Sequence, residues 1–291
     1  MTSQSVQVVA RHDTPVTAPT YGPDDELFVV SETGNIYKYS GDAEAGTEIS
    51  AEVWGNSSGQ PYGICFDSNT GVAFVCDAAH QAVFRMARTE DEDGFPRQEI
   101  APYVKEYENV ALLGPNSIVI AKLNGTLYFT DSGPFGESNI ANPTGSVFAV
   151  APDTQILLPL LHRALAHPCG LAMGPDDSTL FVCETYRNRI LRFSQHPAGV
   201  FHCSVFAQLH GRLGPTAIAV GSTGDMYVAH YDHQDVATSG RILVLDSEGE
   251  IQAIKEVPGP EITGLCLSND EKTLFVTESS TRCLYRVALE E

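Results

Sequence analysis

The sequence is short of bases: 17 Lys and Arg stand against 37 Asp and Glu, a formal net charge of −20 at pH 7. A face that binds a nucleic-acid backbone has to be basic, so nucleic acid is excluded as a partner, and adhesion to anionic lipid with it. Long apolar runs are missing as well. None approaches the roughly 20 residues needed to span a bilayer, and the stretch from Met1 to Val9 has neither the basic segment nor the apolar core of a secretory signal. The seven cysteines include no CxxC pair, which leaves a zinc site of the usual spacing unsupported. Cys65, Cys76, Cys183 and Cys266 lie in apolar strand-like runs and read as buried free thiols of a reducing compartment. The expected location is therefore intracellular and cytoplasmic. No window shows a convincing helical apolar period over about 11 residues.

What the chain does have is self-similarity. PYGICFDSNTGVAFVCD from Pro61, PNSIVIAKLNGTLYFTD from Pro115, PCGLAMGPDDSTLFVCE from Pro168, PTAIAVGSTGDMYVAH from Pro215 and ITGLCLSNDEKTLFVTE from Ile262 share one pattern. A weaker copy, TAPTYGPDDELFVVSE, begins at Thr17. Each is a small-residue start, an alternating strand, a polar turn and a second strand ending in a polar residue; Asn124-Gly125 is the clearest of these turns. Aligning the copies places Thr17, Tyr62, Asn116, Cys169, Thr216 and Thr263 in register, with spacings of 45, 54, 53, 47 and 47. A third strand follows each hairpin, at 35–39, 82–86, 146–150, 189–193, 241–245 and 282–287, and a fourth often follows that.

Four short antiparallel strands repeated six times predict an all-β, six-bladed β-propeller forming one domain over residues 1–291. The 16 residues before Thr17 and the 28 from there to the end after Thr263 together make one repeat. The segment 5–11 is therefore expected to complete the last blade and to remove the exposed edges of an open array. The acidic stretch 90–93 reads as a loop within blade two.

Propeller geometry brings the innermost strands around an axial channel, all entering at the same end. Thr17, Tyr62, Asn116, Cys169, Thr216 and Thr263 should ring that mouth and bind any ligand. The residues ending the second strands, Glu32, Asp77, Asp131, Glu184, His230 and Glu278, form an outer ring, expected to brace loop backbones. The loops 132–145 and 231–240 should overhang the mouth.

FVCETYRNRILRF and FVTESSTRCLYRV, preceded by PCGLAMGPDD and ITGLCLSNDE, resemble NHL-type propeller repeats. They are more closely similar to the six-bladed senescence-marker-protein/gluconolactonase and strictosidine-synthase-like superfamily, as is PNSIVI…LNGTLYFTDSG. The resemblance implies, for hydrolytic members, a divalent cation in the channel, usually calcium. Its ligands would be a Glu from blade one, an Asn each from blades three and four, and an Asp from blade five. Here those positions hold Thr17, Asn116, Cys169 and Thr216, and only Asn116 matches. Synthase-like members carry a last-blade Glu as acid/base; Thr263 stands near that place, with Glu261 two residues away.

The lost carboxylates lead to three expectations. The first is a non-catalytic scaffold with a degenerate metal site and no cofactor, docking a protein partner that the acidic surface suits if basic. The second is a lactone or ester hydrolase, which would need Asn116 with outer-ring acids such as Asp131 or Glu184 to rebuild a calcium site. The third is a small-molecule binding protein. Cys169, with His167 or His230 as base, is a possible nucleophile, but the expectation is a small buried thiol in place of a polar ligand. Asn116 is expected to bond the neighbouring blade's backbone.

Overall fold

The computed structural model describes residues 6–40, 48–90, 96–196, 199–231 and 238–289. Parts of the predicted loops 90–93 and 231–240, and the first residue of the segment 5–11, lie outside them. Six four-stranded antiparallel sheets follow in chain order and form a six-bladed propeller. The innermost strands are Val16–Tyr21, Pro61–Phe66, Pro115–Ile120, Pro168–Met173, Gly214–Val220 and Ile262–Leu267. The ring closes as expected. Val6–Arg11 is the outer strand of the last blade, paired antiparallel with Cys283–Ala288.

Burial explains why each repeat reads as it does. Second strands such as Thr179–Glu184 and Leu127–Asp131 are covered on both faces by neighbouring blades and are apolar almost throughout. The outermost strand Ile251–Pro258 is mostly exposed and carries Gln, Lys and Glu. Side chains of adjacent blades interlock in six hydrophobic clusters, one at each blade interface. Between blades three and four, Tyr128, Val147, Leu171, Leu180 and Phe193 pack together. Trp54 sits against Phe28 and Phe66 between blades one and two.

Every innermost strand is irregular at the same place. The pairing register shifts just after its first residues in all six blades. Such a bulge bends the strand and re-aims the side chain it carries. The next residue is small in every blade: Ala18, Gly63, Ser117, Gly170, Ala217 and Gly264. The inner strands crowd together there, and a Cβ on Gly170 would come 2.6 Å from the Ala217 Cα. A two-stranded ribbon, Glu106–Tyr107 with Val110–Ala111, lies between blades two and three and was not legible in the repeat. Among the described residues, no helix is long and apolar enough to cross a membrane.

Candidate functional site at the channel mouth

The channel is a cavity of about 700 Å³ along the propeller axis, and Tyr62, Asn116, Thr216 and Thr263 line it at one end. Two positions further along the strands, Ile64, Ile118, Leu171, Ile218 and Leu265 form an apolar collar. Thr17 and Cys169 are not among the residues lining the cavity; both are buried in its wall. Tyr62 is half-buried, and burial, followed by Glu32 and Cys169, raises its pKa, so it stays a protonated phenol able to donate.

The threonines are engaged by the fold. Thr17 Oγ1 donates to the Thr263 carbonyl at 3.0 Å, and Thr263 Oγ1 donates to the Val16 carbonyl at 2.8 Å, stitching the seam where the ring closes. Thr216 Oγ1 donates to the Ile262 carbonyl at 3.0 Å. Asn116 differs. Its carboxamide has no hydrogen-bond partner among the described residues, so the bond to the neighbouring blade's backbone expected of it is not formed.

The outer-ring acids brace backbone. Asp131 accepts from the Leu113 and Gly114 amides at 3.0 and 2.8 Å. Burial holds its pKa above the ordinary carboxylate range, against the pull of those two amides. Glu184 accepts from the Ala166 amide at 2.8 Å and pairs with Arg187 and Arg189 at 2.7 and 2.6 Å. Asp77 and Glu278 each bind one amide of the loop that follows them and one just before the innermost strand of the same blade. In blade one the position belongs to Ser31, which pairs with Val16, while Glu32 is exposed. The sequence alignment was one residue off there, because that hairpin is one residue shorter. Glu261 interacts with Tyr231 and does not line the cavity.

His167 and Cys169, which the sequence offers as a base and a nucleophile, are both deeply buried beside the mouth. His167 is 3% exposed and Cys169 7%. His167 has φ +57°, a left-handed conformation uncommon outside glycine, and stands directly before Pro168. Its backbone is held from both sides: the His167 N–H donates to Ser138 Oγ at 3.3 Å, and its carbonyl accepts from the Thr185 amide at 3.2 Å. Ser138 also accepts from the Thr144 and Gly145 amides and donates to the Leu165 carbonyl, so the loop 132–145 is fastened over this histidine. From that loop Phe135 meets the imidazole edge-on at 5.0 Å between ring centroids, and Tyr186 lies 5.4 Å away on another side. His167 Nδ1 is buried with no partner in ordinary hydrogen-bond geometry.

Burial by itself would lower the His167 pKa and raise that of Cys169. Their mutual charge interaction outweighs it, so the imidazole pKa is raised and the thiol pKa lowered. Thr185 is also near the thiol, but its hydroxyl proton goes to the Pro215 carbonyl at 2.7 Å, which leaves His167 as the partner that matters. His230, the other candidate base, is bonded through Nε2 to Asn188 Oδ1 at 2.9 Å.

The donor set does not fit the calcium that the resemblance implies. A hard dication needs several oxygens with carboxylate charge among them. The four positions supply one free carboxamide, two hydroxyls committed to neighbouring carbonyls and a thiol. Asp131 and Glu184 are held by amides and arginines. Among the described residues no group of three or more His, Cys, Asp or Glu is placed to hold a metal ion.

Fold and site together define a six-bladed propeller with a cavity on its axis. The SMP-30/gluconolactonase/LRE-like region matches residues 93–281, more than half of the chain, and the protein belongs to that family. Lactonase drp35 of Staphylococcus aureus (strain MW2) is 31% identical over 129 residues, which is 43% of this chain and 36% of that lactonase. The chain thus matches about a third of the length of the curated relatives. Among solved structures, XC5397 of Xanthomonas campestris, described as a gluconolactonase, superposes with a TM-score of 0.78 at 21% identity over 100% of this chain and 91% of that one. The calcium-binding protein regucalcin of Agrobacterium tumefaciens superposes with a TM-score of 0.71 at 16% identity, over 98% and 95% of the two chains. These structures share the fold.

The matches correct one expectation. The reading of this chain as a non-catalytic scaffold and pseudoenzyme rested on the missing carboxylates. Its curated relatives are named lactonases, and none of these comparisons supports a scaffold. Loss of one ligand set was equated with loss of chemistry.

Proposed function

We propose that the protein hydrolyses a small lactone or ester at the channel mouth. The observation that carries this reading is the Asn116 carboxamide, without a hydrogen-bond partner among the described residues, on an axial cavity in a chain of a family that includes gluconolactonase. The apolar collar of Ile64, Ile118 and Leu171 takes the hydrocarbon part of the substrate out of water. There, polar contacts to the reacting carbonyl are stronger than in bulk solvent. The Asn116 amide and the Tyr62 phenol are the donors available to a carbonyl oxygen as it gains charge. Calcium belongs to the alternative in which the resemblance's ligand set is intact. The donors present here favour chemistry carried by the chain's own side chains. A reducing, intracellular setting is supported by the seven free cysteines.

The test is base uptake in a pH-stat by the purified full chain, with five- and six-membered lactones and an aryl acetate as substrates. Acceleration above the uncatalysed rate is expected. Asn116→Ala should lower kcat/KM by about 100-fold, the usual cost of removing one oxyanion donor. A folded protein that accelerates none of these reactions would refute the reading.

A further inference from the structure

We infer that the axial cavity takes lactones or esters with an unbranched alkyl tail of up to about ten carbons, the reacting carbonyl at Asn116 and the tail laid along the propeller axis. The inference rests on the hydrolase reading and names the class of substrate that reading leaves open.

The cavity reaches far beyond its mouth. About 700 Å³ is room for a drug-sized ligand, and a five- or six-membered lactone ring fills only a small part of it. Its lining runs from Tyr62 and Asn116 at one end to Lys122, Ser222 and Asn269 at the other. These last three are exposed and belong to the turns that follow the innermost strands. On blade three, Asn116 and Lys122 stand six residues apart, about 20 Å of extended chain. The space therefore runs along the whole inner strand, from one face of the disc to the other.

Between the two ends its side chains are apolar. Two residues beyond the collar of Ile64, Ile118 and Leu171 comes a row of Ile120, Met173, Val220 and Leu267. Among the described residues, no Asp, Glu, Lys, Arg or His lines the cavity between the mouth and the far turns. From Asn116 to Ile120 the wall is about 13 Å long, which at about 1.3 Å per methylene matches about ten carbons. A net charge of −20 repels anionic acyl compounds, so a neutral alkyl lactone enters more readily than one bearing a carboxylate or phosphate.

The rival ligand is a polyhydroxylated lactone. Each innermost strand is an edge strand of its sheet, and edge N–H and C=O groups that face the axis can bond hydroxyls. At the mouth several of these groups are taken by the neighbouring blade. Thr17, Thr216 and Thr263 donate to the carbonyls of Thr263, Ile262 and Val16, and Thr130 Oγ1 donates to that of Cys169 at 2.8 Å. Deeper in, the two apolar rows are where a hydrocarbon gains by leaving water, about threefold in binding for each methylene. Past the level of Ile120 the tail emerges among exposed polar residues and further carbons add nothing. The tail is held alike in the ground and transition states, so the gain falls in KM rather than kcat.

The experiment gives the purified full chain γ-hexalactone, γ-octalactone, γ-decalactone and γ-dodecalactone in the pH-stat, a series whose tails lengthen two carbons at a time. Through KM, kcat/KM should rise about threefold per methylene, which puts γ-dodecalactone about 100-fold or more above γ-hexalactone. Val220→Phe narrows the channel at the lower row. It should lower kcat/KM for γ-dodecalactone about tenfold more than for γ-hexalactone, the worth of two methylenes. Calorimetry with cyclopentanones carrying the same ethyl and octyl tails reads binding without turnover, and the octyl ketone should bind about 100-fold tighter. A flat rate across the series, or faster turnover of glucono-1,5-lactone than of γ-dodecalactone, overturns the alkyl channel and leaves the hydrolase reading standing. So does a Val220→Phe protein of unchanged melting temperature that slows both lactones alike. Equal affinity for the two ketones overturns it as well. Tight binding of the octyl ketone alone, in a protein that turns over no lactone, upholds the alkyl channel and removes the hydrolase reading.

Discussion

A chain lacking residues 1–11 should no longer fold as one stable ring. Those residues supply Val6–Arg11, the fourth strand of the last blade, paired along Cys283–Ala288. Val9 and Ala10 are buried in the cluster that joins the last blade to the first, with Val16, Val29 and Leu284. Burying a side chain such as Val9 is worth about 1.5–3 kcal/mol, and the strand's backbone bonds are lost with it. Removal also bares the edge of Cys283–Ala288, which becomes a template for pairing with another molecule. The total loss should be about 5 kcal/mol or more, comparable to the whole net stability of a typical domain. Calorimetry and size-exclusion chromatography check it. The expected result is a broad, strongly lowered transition with soluble aggregates. A truncated chain that melts like the intact one would show that blade six closes without this strand.

Glu278→Ala is the point substitution with the largest expected cost. The carboxylate is fully buried and accepts from the Glu261, Ser280 and Thr281 amides at 2.8, 3.2 and 2.6 Å. The Ser280 hydroxyl donates to it at 2.7 Å, and the Thr281 hydroxyl at 2.5 Å. Truncation leaves three amides of two loops without an acceptor, each costing about 1–3 kcal/mol where water cannot replace it. A loss of about 3–5 kcal/mol in urea denaturation is expected, in the range reserved for broken buried networks. Glu278→Gln keeps a carbonyl oxygen and should lose clearly less. Equal losses for the two variants would mean that shape rather than hydrogen bonding fixes this residue.

The fold was readable because the repeat is a packing requirement. Each blade must present a two-sided apolar second strand and a polar residue to tie its loop, so the residues ending at Asp77, Asp131, Glu184 and Glu278 recur at matched spacing. The ring closure was legible from length alone. The site was only partly so. Repeat alignment placed Tyr62, Asn116, Thr216 and Thr263 at the cavity, yet could not show that three threonine hydroxyls would be taken by neighbouring carbonyls, since those partners lie a whole blade away. It offered His167 as a partner for Cys169 but could not show how that histidine is held. The residue sits outside the aligned strand, and it is held by Ser138 and Phe135 from the loop 132–145. The nearest signal was local: a histidine two residues before a ring-position cysteine, with a proline between them.

The oxygens at this mouth carry too little negative charge to hold calcium tightly, so the proposed hydrolysis must run on the chain's own side chains. The most direct measurement is lactone or ester hydrolysis by EDTA-treated protein before and after calcium is added, with calcium binding followed by calorimetry. The account predicts the same rate in both and calcium affinity no better than about millimolar, that of weakly charged sites. One tightly bound calcium per chain, with turnover lost to the chelator and restored by the ion, would contradict it.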